Sequence, residues 1–292
     1  MKKLLFLFIV FFAITSLKAQ EHALLAQYMY NRLVFNPAYA GSNEGLSGSL
    51  SFRKQWLTIN NAPFTGQLSV DGLLKNNKVG LGLNIGQDIA GALKRTDLFV
   101  NYAYRLSVDN ESVLAFGLKG GTSFYSLGEV DVLDQGDDLF LAQASGFMPK
   151  VGAGLYFDNP GYYIGVSVPD LIQYDPNGLF KDSSGTSWKA KKDLFITGGY
   201  NFYVNELITL VPSTFARLSS QRVLVDLNLN LNYNDKFAVG AGWRLGNAFI
   251  LMGRINLNEK IKMGVAYEYK QFGIKLPSNG SVEFMLSYNL AY

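Results

Sequence analysis

The residues able to do acid–base, nucleophilic or metal chemistry are few. His22 is the only histidine, and there is no cysteine. A serine–histidine–aspartate relay would have to run through His22, near the start of the chain. Zinc-type sites built on cysteine or histidine are excluded by count. Glu129, Asp131, Asp134, Asp137 and Asp138 offer oxygen ligands of the kind calcium takes, but without the spacing of an EF-hand. They read as a charged loop, and the basic run Lys189, Lys191 and Lys192 as a solvated loop edge. No phosphate-binding or dinucleotide glycine motif occurs. The expectation is a protein that is not an enzyme and holds no metal or cofactor.

The elements that would position any site are strands. In Arg222 to Asn234, Val223, Val225, Leu227, Leu229, Leu231 and Tyr233 share one parity. Leu224, Asp226, Asn228, Asn230, Asn232 and Asn234 share the other. Alternation at period two means an extended strand with two unlike faces. A polar face made of short asparagine suits a crowded, wet interior, so the apolar face turns outward. That is the repeating unit of a transmembrane β-barrel. Thirteen further segments repeat it more or less cleanly: 46–54, 65–74, 78–87, 95–107, 112–125, 149–157, 162–168, 193–204, 207–217, 237–244, 248–257, 261–269 and 281–291. The fold expected is all-β: a single transmembrane antiparallel β-barrel of about 14 strands over 46–292. Pro212 removes a ladder donor from the strand at 207–217, which predicts a bulge or a misplaced boundary there. Tyrosine and phenylalanine near the strand ends fit girdles at two membrane interfaces.

Residues 1–19 carry two lysines, a short apolar core and small residues before Gln20, the pattern of a secretory signal peptide. Removing it takes away three of 26 basic residues and no acid, leaving 23 against 23 acidic. A neutral chain argues against nucleic acid as a partner. Residues 20–45 form an arm in which 23–33 has the character of a short helix and Asn36-Pro37-Ala38-Tyr39-Ala40-Gly41 that of a turn. The arm either packs against the barrel or serves as a plug or docking element. Every second connection between strands is short and the ones between are mostly longer. Short turns belong in the periplasm, which puts both termini there too.

Several stretches carry a family resemblance. QYMYNRLVFNPAYAG at 27–41, RKQW at 53–56 and AP-x-T at 62–65 resemble the opening signature of the PorP/SprF family of the Bacteroidetes. GAGLYFDNPGYYIGVSVPDLI at 152–172, FITGGYNF at 195–202, LVPSTFAR at 210–217, NLNYNDKFAVGAGWR at 230–244 and GSVEFMLSY at 280–288 are similar to its later parts. Val282 stands where the resemblance implies histidine. The resemblance implies an outer-membrane protein of the type IX secretion system, in some members serving gliding motility. Its partners would be secretion components, a secreted adhesin-type cargo held or exported at the surface, or a periplasmic peptidoglycan-binding protein. The rival is a passive or substrate-selective pore. Asn36, Pro37, Tyr39, Gly41, Arg53, Gln55 and Trp56 are the motif residues expected to bear on partner docking, because tryptophan and arginine recur as interface anchors. For Trp56 the alternative is an ordinary girdle residue.

Overall fold

The computed structural model describes residues 25–43, 45–75, 77–128, 144–175, 188–190, 193–220, 222–270 and 280–290. Residues 1–19, expected to be a signal peptide, His22, the acidic stretch at 129–138, Lys191 and Lys192 lie outside the described residues.

The alternating segments are strands: β1 (Leu46–Lys54), β2 (Phe64–Leu73), β3 (Val79–Ala90), β4 (Leu93–Ser107) and β5 (Val113–Leu127). Next come β6 (Ala144–Asp158), β7 (Tyr162–Tyr174), β8 (Trp188–Ala190), β9 (Leu194–Tyr200) and β10 (Phe202–Tyr203). The series ends with β11 (Ile208–Leu218), β12 (Val223–Tyr233), β13 (Phe237–Arg244), β14 (Ala248–Asn256), β15 (Ile261–Lys270) and β16 (Ser281–Leu290). Neighbours pair antiparallel, and β16 pairs with β1 from Leu46↔Leu290 to Lys54↔Val282, so the sheet closes on itself. Closure removes the free edges that an open sheet would leave. β9 and β10 are two pieces of one strand facing β11, which makes the closed wall fourteen strands, with β8 an extra piece beside the far end of β7.

The strand containing Pro212 corrects one expectation. Leu210 pairs with Phe202 and Ser213 with Gly199, one unbroken register on both sides of the proline. There is neither a bulge nor a misplaced end. The ladder is interrupted between β9 and β10, opposite Val211 and Pro212, where the proline has no N–H to give. A real irregularity sits elsewhere. Between Val151 and Ala153 the register of β6 against β7 shifts. A Cβ on Gly152 would lie 2.1 Å from the Pro169 carbonyl oxygen, so only glycine fits opposite it.

The two faces follow the parity in the sequence. Leu229 is 51% exposed and Val239 62%, while Asp226, Asn228 and Asn230 on the opposite face are buried. Leu83, Val100, Leu118, Leu251, Val265 and Phe284 continue the exposed apolar band around the wall. A water-soluble monomer rarely shows so large a contiguous apolar surface, so this band is a lipid-facing one. Stacked aromatics mark its borders: Tyr162 with Tyr200 at the short-turn rim and Trp243 with Phe249 at the other.

Candidate functional site

Inside the barrel, against its inner wall, lies the segment that precedes β1, residues 25–43. Over 25–33 the expected short helix is not formed. The described arm instead makes three single-turn 3-10 helices, Tyr28–Tyr30, Arg32–Val34 and Pro37–Tyr39. Isolated short helices are marginal on their own, so the surroundings decide the conformation. Here the wall supplies partners the helix would have hidden. Asn228 donates to the Tyr28 hydroxyl at 2.9 Å, and the Tyr30 hydroxyl donates to Asn230 at 3.3 Å. Asn84 donates to the Leu33 carbonyl, and Ser167 to that of Phe35 at 2.7 Å. Arg32 donates to the Tyr156 hydroxyl at 2.7 Å, with its guanidinium 3.6 Å from the centre of the Tyr163 ring. The core of the molecule therefore lies between arm and wall. Tyr28 and Phe35 pack on Phe215, with ring centres 5.2 and 5.0 Å away. Each such buried side chain contributes about 1.5–3 kcal/mol.

The motif at 36–41 is a seat. The residue before a proline avoids the α region, and Asn36 is extended at φ −136°. Its side-chain oxygen accepts from the Ala38 amide at 3.0 Å, while its side-chain nitrogen donates to the Leu155 carbonyl on β6 at 2.8 Å. Pro37 opens the following turn. Gly41 has φ +72°, a left-handed value that favours glycine, and its amide donates to Asp71 at 2.8 Å. Glycines on the wall match these residues. A Cβ on Gly117 would lie 2.1 Å from the Ala38 nitrogen, and one on Gly154 2.1 Å from the Asn36 side-chain oxygen. On Gly80 it would lie 1.9 Å from the Ala40 carbonyl oxygen. Those wall positions are bare because the arm occupies the space.

Nearer the long-loop end, a chain of buried charges runs along the inner wall. Arg244 grips Asp226 from Nε at 2.9 Å and Nη2 at 2.7 Å, and reaches Glu268 from Nη1 at 2.6 Å. Arg53 donates to the same Glu268 oxygen at 2.9 Å and stands 3.6 Å from Glu283. Glu283 accepts the amides of Ala26 at 2.6 Å and Gln27 at 3.0 Å. The network thus ties β1, β12, β13, β15 and β16 to the arm. Buried charges of this kind cost free energy unless every member is partnered. Lys119 and Lys150 share Asp170, and Arg217 pairs with Asp193 at 2.8 Å.

The seven motif residues do not form one site. Asn36, Pro37, Tyr39 and Gly41 hold the arm in the lumen. Arg53 is 3% exposed and belongs to the charge network, not to the rim. Gln55 and Trp56 follow the end of β1; the Gln55 amide donates to the Pro63 carbonyl at 2.9 Å. Trp56 is half-buried at φ 48°, with the Lys270 ammonium 4.9 Å from its ring centre. Asp226, Arg244, Glu268, Glu283 and Arg32 were not singled out from the sequence. For the four on strands the signal is a charge at the inward parity; Arg32, in the arm, carries no such mark. Among the described residues no group of histidine, aspartate and glutamate is placed to hold a metal.

The fold recurs in outer-membrane proteins of known structure. Omp33 of Acinetobacter baumannii aligns at TM-score 0.50 and 9% identity, over 86% of this chain and 100% of its own. The CymD monoaromatic hydrocarbon channel aligns at 0.55 and 11%, over 94% and 95%. The Ralstonia pickettii toluene transporter TbuX aligns at 0.51 and 11%, over 88% and 92%. At such identities the likeness is one of fold. No curated protein matches significantly. The sequence match is to the model of the type IX secretion system membrane protein PorP/SprF, over residues 17–288. With that match spanning nearly the whole barrel and its arm, the chain belongs to the PorP/SprF family of type IX secretion system membrane proteins.

Proposed function

We propose that this protein is a non-enzymatic outer-membrane barrel of a type IX secretion system, closed by its own N-terminal arm, that supports export or surface attachment of a secreted partner such as a large adhesin. The observation that carries this reading is the seating of residues 25–43 against the inner wall, with glycines where the arm passes closest. A filled lumen suits a scaffold that holds protein partners and obstructs free passage of solute. Residues 1–19 act as a signal peptide, the short turns and both termini face the periplasm, and a peptidoglycan-binding protein is a candidate partner on that side. Of the motif residues, Gln55 and Trp56 lie near the long-loop rim and are the ones to offer outward. Arg53 and the residues at 36–41 act inside, by keeping the barrel in the form a partner recognises.

Affinity purification from the native outer membrane, with mass spectrometry of co-purifying proteins, tests the reading. Secretion components or a large surface protein are expected, and Trp56→Ala should reduce their recovery while the barrel stays heat-modifiable. If Trp56→Ala retains the partner and deletion of the loop at 128–143 releases it, docking lies in the long loops. Recovery of no such protein counts against the reading. CymD and TbuX, which share the fold, are by name a channel and a transporter, and a substrate-selective pore is the rival. Steady planar-bilayer conductance by the intact chain, unchanged on deleting residues 20–45, would favour it.

A further inference from the structure

Between the arm and the wall at the short-turn end lies a cavity of about 260 Å³. Arm residues Met29 to Leu33 form one side of it, and β1, β2 and β14 to β16 the other. Arg254 and Lys262 sit on the inward parity of β14 and β15, and the solvent-exposed Lys260 stands at the mouth. Neither Arg254 nor Lys262 has an ion pair among the described residues. Arg254 lies over the Tyr30 ring, 4.4 Å from its centre, and its Nε has no acceptor among the described residues. Asp235 acts on Lys262 only at longer range. The lining carboxylate, Asp71, is already taken by the Gly41 amide at 2.8 Å and the Ser47 hydroxyl at 2.7 Å.

Three further serines line it. Ser49 and Ser69, 9% and 3% exposed, and Ser287 have no hydrogen-bond partner among the described residues. Buried polar groups are nearly always partnered, so a cluster of unpartnered ones needs an explanation. Two cations facing one space also repel unless something negative lies between them. A group with several acceptor oxygens and a negative charge answers both needs. The cavity is smaller than those that take drug-sized ligands, which run roughly 300–1,000 Å³, and so admits one compact anionic group.

We propose that this cavity binds an oxyanion, a phosphate or carboxylate group entering from the short-turn mouth, with Arg254 and Lys262 as its charge partners and Ser49, Ser69 and Ser287 as donors. The test is calorimetric titration of the full-length folded protein in detergent with inorganic phosphate and, separately, with succinate. Saturable binding of at least one is expected. Phosphate alone marks a phosphate-bearing ligand; succinate as well admits the carboxylate of a peptide. Arg254→Gln and Lys262→Gln should each weaken binding about tenfold, the loss of one charge-assisted hydrogen bond. Lys94→Gln, an exposed residue at the far rim, should leave it unchanged. If a charge variant fails to fold, Lys262→Arg should retain binding and Ser69→Ala should weaken it. No saturable binding of either anion by the native chain overturns the proposal. So does equal weakening by Lys94→Gln, or full retention in Ser69→Ala.

Discussion

The carboxylate of Glu283, in the last strand, accepts the backbone amide of Ala26 at 2.6 Å across a separation of 257 residues. Its other oxygen accepts the Gln27 amide, and Arg53 of the first strand stands 3.6 Å away. One side chain therefore joins the arm to the seam where β1 meets β16. Closing the barrel and seating the arm are coupled at that residue.

Removing Glu283 should loosen both. Glu283→Ala frees two arm amides and leaves Arg53 with Glu268 alone. Breaking a buried ion pair from one side costs about 3–5 kcal/mol. The expected result is a lower urea midpoint in detergent, together with protease cleavage within residues 25–43 while the strands remain protected. A variant with native midpoint and native resistance would show that the arm is held by packing alone.

The glycine seat makes a separate prediction. Gly117→Ala places a methyl group 2.1 Å from the Ala38 nitrogen, backbone that cannot swing aside. The arm should lift and the barrel should conduct. Gly120→Ala on the same strand meets nothing within 4 Å and should behave as the native chain does. Silence from both variants in planar bilayers would mean that the arm has room to shift.

The outer and inner faces differ in what they tolerate. Leu229 points to lipid near the middle of β12, where arginine costs about 2–4 kcal/mol. Asn230 is a poor lumen control, since it accepts from Tyr30 and packs over Gly240. Asn232, two residues on and half-buried, is the better one. Leu229→Arg should lower the folded fraction in lipid clearly more than Asn232→Arg. Equal losses would contradict the facing of the wall.

Orientation is read by labelling. Cysteine placed at 134–138 or 176–187 should react with an impermeant thiol reagent on intact cells, and cysteine at Asn234 should not. Strong labelling at Asn234 on sealed cells would invert the barrel.

The arm also predicts an alkaline response. Burial pushes the phenols of Tyr28, Tyr30 and Tyr39 above their ordinary range, opposed in Tyr30 by Arg254 and in Tyr39 by Arg32. A raised phenol pKa means that folding favours the neutral form. Its contribution is complete below the unfolded value of about 10 and is lost as pH rises beyond it. Phenolate absorbance should therefore show these three titrating later than a free phenol does. Replacing them with phenylalanine should shrink the late phase; if its amplitude is unchanged, the late phenols belong to the wall.

The strands were legible because each carries its own evidence. A residue in β12 meets either lipid or lumen, and the parity of Leu229 against Asn230 records which, with no knowledge of any other strand. Strand number, facing and the alternation of short with long connections are local in this sense, and the family signature adds a membrane system to them. What the tertiary structure decided is non-local. Arg53 and Trp56 are three residues apart and read as one motif. β1 ends at Lys54, so Arg53 turns into the lumen while Trp56 enters the next connection. The partners of Arg53 lie in β15 and β16, and no spacing along the chain identifies them, because closure of the sheet brings them together. The arm shows the same limit. Residues 23–33 have the composition of a short helix, but over 25–33 the conformation in the lumen follows from Asn228, Asn230, Glu283 and the bare glycines of the wall. A short segment has too few internal hydrogen bonds to hold its own shape, so the barrel around it chooses one.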